Sequence, residues 1–248
     1  IKGYRKNQDN AGYLQAAGLY YELSEIMERE NKDMIVNMLY VRSSLERANE
    51  SRREMEAVNV KLLKQSETDQ MTGLANRYRL NDYSDKVLDY CYEHRLSLAM
   101  EILDIDFFKQ YNDNYGHQQG DECIIAIADE LKKMEDRQTF CARYGGDEFI
   151  IIYAGASAEE VYAKAAALRQ NIMDLKLEHL YSKALPIVTI SQGISYGVPE
   201  EGNRSWDFLH TADMLLYQVK KKSRNDICIA DIRGQELDLS SKQEKVEP

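Results

Sequence analysis

Residues 139–153 read TFCARYGGDEFIIIY. Two runs of apolar, aromatic and β-branched residues, Thr139–Tyr144 and Glu148–Tyr153, flank Gly145-Gly146-Asp147. Gly-Gly permits the positive φ of a tight turn, so the stretch predicts a hairpin of two neighbouring strands. Further strands are expected at Leu96–Asp104, Ile187–Tyr196 and Asp226–Ala230, each apolar or β-branched and bounded by Gly, Asn, Asp or Ser. Helical stretches lie between them at Tyr78–His94, Gln119–Glu135, Ala158–Leu175 and Ser205–Lys222. Strands and helices alternate about a central sheet, which gives an α/β or α+β domain.

Upstream of this domain the pattern changes, with the division near residue 68. From Gly12 to Ser66 there is no Pro and, after Gly18, no Gly, while Glu, Lys, Arg, Met and Leu dominate. That is the composition of long helix. Met34, Met38, Val41, Leu45, Ala48, Arg52, Met55, Asn59 and Leu62 step by alternating four and three residues, a heptad seam in which Arg52 and Asn59 fall in the a layer. The seam predicts a coiled coil, although one amphipathic helix packed on its own domain would show the same stripe. Residues 4–33 are expected to carry a shorter helix, and this stretch resembles the last helices of a tetratricopeptide array running into a signalling helix. The expected division is therefore 1–33 helical segment, 34–67 coiled-coil signalling helix, 68–232 domain and 233–248 polar tail.

The 248 residues allow one full domain plus a substantial extra segment. With 32 basic and 42 acidic side chains the formal charge is −10, which repels a phosphate backbone, so no nucleic-acid partner is expected. No apolar run approaches the roughly 20 residues of a membrane span. Cys91, Cys123, Cys141 and Cys228 are far apart with no CxxC pair, as expected for reduced thiols in a cytoplasmic setting. The chain opens at Ile1 without an initiator Met, as a piece of something longer would.

The acidic residues suggest the chemistry. The apolar run Leu98–Leu103 ends at Asp104-Ile105-Asp106-Phe107-Phe108-Lys109. A carboxylate at the carboxyl end of a buried strand, where the chain turns into a helix with outward amides, can hold a cation beside a phosphate. Asp147 and Glu148 sit at the edge of the Gly-Gly turn. If the two strands are neighbours, Asp104 and Asp147 converge and could bridge two Mg²⁺ for in-line phosphoryl transfer. Taken alone, Gly-Gly-Asp-Glu is equally a solvated turn.

Further blocks surround it. They are Asp69-Gln70-Met71-Thr72-Gly73-Leu74-Ala75-Asn76-Arg77, Asn112-Asp113 with Tyr115-Gly116-His117 and Gly120-Asp121, Arg143-Tyr144-Gly145-Gly146-Asp147-Glu148-Phe149, and Ala212-Asp213 with Leu216-Tyr217, Lys220 and Arg224-Asn225. In this order, with Asp104–Lys109, they closely resemble the GGDEF family of diguanylate cyclases over residues 68–230. The resemblance implies an α+β sandwich with a mostly antiparallel central sheet flanked by helices, related to the palm of nucleotide cyclases and polymerases. The implied reaction joins two GTP molecules into cyclic di-GMP with release of two pyrophosphates. Two Mg²⁺ per site are implied, with Mn²⁺ as a substitute ion.

Residue by residue, Asp104 and Asp147 match the metal-ligand positions and Ile105 a backbone carbonyl ligand. Glu148 matches the second acid, which assists metal binding or deprotonation. Asn112 and Asp121 match the guanine-reading positions; a carboxylate accepts from the N1 and N2 hydrogens that adenine lacks. The amides of Phe107, Phe108 and Lys109, with the side chains of Lys220 and Arg224, match the triphosphate contacts. Each domain would hold one GTP, so a homodimer through the coiled coil would bring two face to face. The other readings are a GTP-binding sensor without turnover and a coiled-coil scaffold with a vestigial cyclase domain.

Some positions depart from the family. Asp136 and Thr139 stand where many members carry an Arg-x-x-Asp product-inhibition motif, so inhibition through that site is not expected. Ser223 replaces the usual Gly, which puts the turn presenting Arg224 in question, and Met71 replaces Leu. Asp69 and Arg77 are expected to pair as an ion bridge, His117 to be structural, and Trp206 to be a packing residue.

Overall fold

The computed structural model describes residues 10–65 and 67–237, and the chain divides into two compact units between Leu62 and Leu63. The described residues of the first unit all lie in one helix, α1, Asn10–Gln65, of 56 residues, whose last three residues belong to the second unit. At 1.5 Å per residue it is about 84 Å long. It runs unbroken through residue 33, so the described part of the shorter helix expected over 4–33 continues directly into the seam, and residues 10–33 form no helix–turn–helix pair. Residues 4–9 of that expected helix lie outside the described residues. The continuity follows from the absence of Pro throughout and of Gly beyond Gly18. Met34, Met38, Val41, Leu45 and Met55 of the seam are 57–65% exposed, while Arg42–Glu46 and Arg52–Glu56 pair along the helix surface. No helix among the described residues is long and apolar enough to cross a membrane.

The second unit is built on five strands: β1 Leu98–Ile105, β2 Thr139–Gly145, β3 Glu148–Ala154, β4 Ile190–Gly197 and β5 Ile227–Asp231. Their order is β2-β3-β1-β4-β5; every pair is antiparallel except β4–β5, so the sheet is mostly antiparallel. β1 lies at the centre with all eight residues buried. Five helices cover the sheet: α2 Arg77–His94, α3 Phe108–Tyr115, α4 His117–Met134, α5 Ala158–Asp174 and α6 Ser205–Lys222. Sheet side chains alternate between faces. Ile102, Ile150 and Ile152 pack with Leu80, Cys91, Phe208 and Leu216 of α2 and α6. Leu103, Phe149 and Ile151 pack with Ile127, Leu131, Val161 and Leu168 of α4 and α5. Burial on both faces explains why these strands read as continuous apolar runs.

Local signals fix the ends. Asn76 caps α2 by accepting from the Arg79 amide, and Ser157 with Glu160 closes a capping box on α5. A Cβ on Gly193 of β4 would fall on the Ala212 carbonyl and the Leu216 amide, so α6 lies directly on the strand backbone there. The sequence reading begins its second helix at Gln119, whereas the chain forms two, α3 and α4, that meet at Gly116 with φ 87°. Residues 233–237, assigned to the polar tail, fold back onto β5: the Leu237 amide donates to Ile229, and Asp231 donates to Gln235. Residues 238–248 of that tail lie outside the described residues.

Candidate active site

The end of β1, the β2–β3 turn, the start of α3 and the last turn of α6 meet at one end of the sheet. β1 and β3 are neighbours in a register that sets Asp104 opposite Glu148, with Asp147 one residue away in the turn. Lys220 of α6 reaches across, its Nζ 2.6 Å from Asp104 Oδ2. Burial pushes the Asp104 carboxyl up to about 6; Lys220 opposes this, and the charges of Asp147 and Glu148 add to it. Glu148 is raised as well, by burial first, with Lys220 lowering and Asp147 and Asp213 raising it. Asp104 and Glu148 thus share the field of one ammonium, while Asp147 adds its negative charge from the turn.

This is an all-oxygen donor set under mutual repulsion, the chemistry that fits a hard divalent cation. Ile105, the expected carbonyl donor, is the last residue of β1. Among the described residues no three His, Cys, Asp or Glu side chains already surround a common point, and Lys220 is the cation that Asp104 meets.

Beside this cluster lies a second one. Asp106 is fully buried and accepts from Thr189 Oγ1 at 2.8 Å, Ser191 Oγ at 2.6 Å, the Asn225 amide at 2.9 Å and Arg224 Nη1 at 3.5 Å. It therefore ties the β1 exit to β4 and to the turn after α6. The Arg224 guanidinium lies over the Phe107 ring, 4.2 Å from its centroid. The positive φ of that turn falls on Arg224 and Asn225, while Ser223 has φ −135°, a value open to any residue. Glycine is not required at 223. Phe107 is the N-cap of α3, with φ 57° and no side-chain cap, so no side chain covers the first amides of α3.

Asn112 of α3 and Asp121 of α4 stand on the two helices that meet at Gly116. The Asn112 side chain occupies the space a Cβ on Gly120 would need. Its Oδ1 is buried without a hydrogen-bond partner, while Asp121 is exposed. A buried acceptor left unpaired is costly, and a ligand with donor hydrogens would satisfy it.

Two expectations change. Asp69 pairs with Arg143, 3.1 Å from Nη1, instead of with Arg77, whose guanidinium lies 4.5 Å from the centroid of the Tyr144 ring. Partial burial works against ionisation of Asp69, yet its bonds from Thr72 and Arg143 hold it below the usual carboxylate range. Arg143 also donates to the Gly146 carbonyl at 2.8 and 3.1 Å, so the turn that begins at Asp69 is clamped to the signature turn. Trp206, expected to pack, is 63% exposed and stacks on His210. His117 is the first residue of α4. Asp136 and Thr139, the departures at the inhibition motif, share Lys164 at 2.9 and 2.7 Å. Asp106 and Arg143 stand within the motif blocks, but Thr189 and Asn225, which Asp106 meets, and Asp69, which Arg143 meets, lie 74 to 119 positions away, beyond what spacing can show.

The family model described as "Diguanylate cyclase, GGDEF domain" matches residues 66–226. The probable diguanylate cyclase DgcC of Escherichia coli K12 is 34% identical over 163 residues, which is 64% of this chain and 42% of that protein. Diguanylate cyclase DgcP of Pseudomonas aeruginosa is 32% identical over 190 residues, 75% of this chain and 28% of that protein. The chain thus spans less than half the length of these relatives. A crystal structure of the GGDEF domain of DgcB from Caulobacter crescentus in complex with c-di-GMP superposes with TM-score 0.60 at 30% identity, covering 66% of this chain and 92% of that one. The DgcB structure that includes its coiled coil gives TM-score 0.61 at 27% identity, covering 77% and 99%.

Proposed function

Because this chain belongs to the GGDEF family of diguanylate cyclases, we propose that it condenses two GTP molecules into cyclic di-GMP and releases two pyrophosphates. The observation that carries this reading is the meeting of Asp104, Glu148 and Lys220 at the sheet end, next to the Arg224 turn. Asn112, with its unpaired Oδ1, and Asp121 would read the guanine. The amides of Phe107, Phe108 and Lys109 would cradle the triphosphate from the start of α3. Lys220 would exchange Asp104 for a phosphate oxygen, and Arg224, aimed by Asp106 and the Phe107 ring, would take another.

Asp104, Asp147 and the Ile105 carbonyl would hold two Mg²⁺, or Mn²⁺ in their place. When bound there, such ions lower the pKa of a hydroxyl and stabilise the charge of a leaving pyrophosphate. The 3′-oxygen of one GTP forms a bond to the α-phosphorus of the other as the bond from that phosphorus to the β-bridging oxygen breaks. The hydroxyl proton passes to Glu148 or to solvent. A second, reciprocal step closes the ring.

One domain holds one GTP, so two copies must face each other. The exposed seam of α1 would supply the pairing as a parallel coiled coil, raising the effective concentration of one domain beside the other. The test is incubation of the chain with GTP and Mg²⁺ beside Asp147→Ala, with products identified by chromatography and mass detection. Cyclic di-GMP from the parent and at least 100-fold less from the variant is expected, roughly the loss of one key electrostatic group. A dimeric parent that binds GTP and forms no product would overturn the reading.

A further inference from the structure

The segment between α5 and β4 has no part in the function just proposed, yet it reaches the phosphate-facing turn. His179 is fully buried, with Nε2 3.2 Å from the carbonyl oxygen of Phe107. A carbonyl only accepts, so Nε2 carries the hydrogen. Nδ1, on the opposite side of the ring, is buried with no partner. A buried nitrogen left unpaired is a cost, and the ring is held for the one bond it makes.

The surroundings fix it there. The His179 amide donates to Pro186 and its carbonyl accepts from Ser182, so its own loop is closed on both sides. The rings of Tyr111 and Tyr115 stand edge-on to the imidazole at 5.2 and 6.3 Å, and the Tyr115 hydroxyl accepts from the Leu180 amide.

Phe107 needs such support. Its φ of 57° and ψ of 29° lie in the left-handed region, which a residue with a Cβ adopts only at a cost. A conformation of that kind persists only where the surroundings over-determine it. Here the Phe107 ring lies under Arg224, and its carbonyl accepts from both the Tyr111 amide and His179. The peptide unit is planar and trans, so a carbonyl drawn toward His179 turns the Phe108 N–H in the opposite direction.

We propose that His179 is a positioning residue for the triphosphate: by holding the Phe107 carbonyl it aims the amides at the start of α3 toward the phosphates. The role rests on the cyclase reading for the identity of the ligand and adds to it a residue that touches neither substrate nor metal.

The test is calorimetric binding of a GTP analogue with a non-hydrolysable α,β-methylene bridge, in the presence of Mg²⁺, to the full chain. The variants are His179→Gln, whose amide nitrogen can replace the Nε2 donor, and two without a donor, His179→Phe, which keeps a ring, and His179→Leu. Thermal unfolding shows which donor-less variant folds cooperatively, and that one is read. The expected result is a Kd at least tenfold weaker without the donor and within about threefold of the parent for His179→Gln, even where the melting temperatures of the variants fall together. Equal affinity in the parent and the donor-less variant would overturn the proposal, as would a His179→Gln variant as weak as the donor-less one, or a parent that does not bind the analogue. Turnover of GTP by the parent is read separately. Analogue binding without formation of cyclic di-GMP would sink the cyclase reading, while the affinity ratio would still decide the role of His179.

Discussion

Among single residues, Glu101 shows how the core tolerates a charge-bearing group. It sits in the centre of β1 with no exposure, accepts from Tyr153 and Gln192 at 2.7 Å each, and is pushed by burial up to about 7 from an ordinary value of 4.5. The folded state therefore keeps this proton to about pH 7, whereas the unfolded chain releases it near 4.5. Between those values the folded state binds more protons, and this group lowers the unfolding free energy as pH rises, by about 1.4 kcal/mol per unit at most. Glu101→Gln removes the titration. Urea unfolding at pH 5 and pH 8 should show the variant gaining on the parent by a few kcal/mol at the higher pH; a constant difference between the two would refute the assignment. Legibility in the sequence was uneven at this scale. Asp104 and Glu148 stand at a strand end and a Gly-Gly turn, as a cation site requires, Lys220 and Arg224 stand in blocks that resemble those of the family, and the fold gathers the four at one end. The roles of Asp106 and His179 depend on partners 72 to 119 positions distant, and a buried hydrogen bond of that range leaves no local pattern.

At the level of elements, periodicity located all five strands and most helix boundaries, because residues on both sheet faces are apolar and the turns between them carry Gly, Asn or Ser. It failed where the signal was one residue deep. The break between α3 and α4 rests on Gly116 alone, inside a stretch of otherwise helix-compatible polar residues. The unbroken α1 is legible in composition, since Pro is absent throughout and Gly beyond Gly18, while the division at residue 33 marks a change of apolar pattern and no backbone break. Close approach of α6 to β4 was also invisible before the fold was seen. Gly193→Ala would drive a methyl group into the backbone of α6 at Ala212 and Leu216. We expect a loss of about 3 kcal/mol or more, beyond ordinary overpacking because backbone cannot rotate away. Thermal unfolding of this variant should fall by several degrees; a melting temperature equal to the parent's would show that α6 shifts freely on the sheet.

For the whole molecule, two units of different character share one chain: a helical unit with an exposed apolar seam, and a domain with buried layers on both faces of its sheet. If the seam pairs two copies, a charge in its centre should separate them. Leu45→Asp is expected to convert a dimer into a monomer in sedimentation and to make cyclase activity per chain rise with protein concentration, with a loss of at least tenfold at micromolar protein. Asn59→Leu, which removes the polar a-layer residue, should change oligomer state or activity without dissolving the pairing. A parent already monomeric at those concentrations would refute the pairing. The long reach of Asp106 has a further consequence, in time. Its partners at Thr189, Ser191 and Asn225 come from the last third of the domain, so the exit of β1 cannot be tied down until residue 225 has left the ribosome. A nascent chain that carries the complete signature turn at Gly145–Glu148 therefore still lacks the Arg224 turn, and on the function proposed above it would make no second messenger.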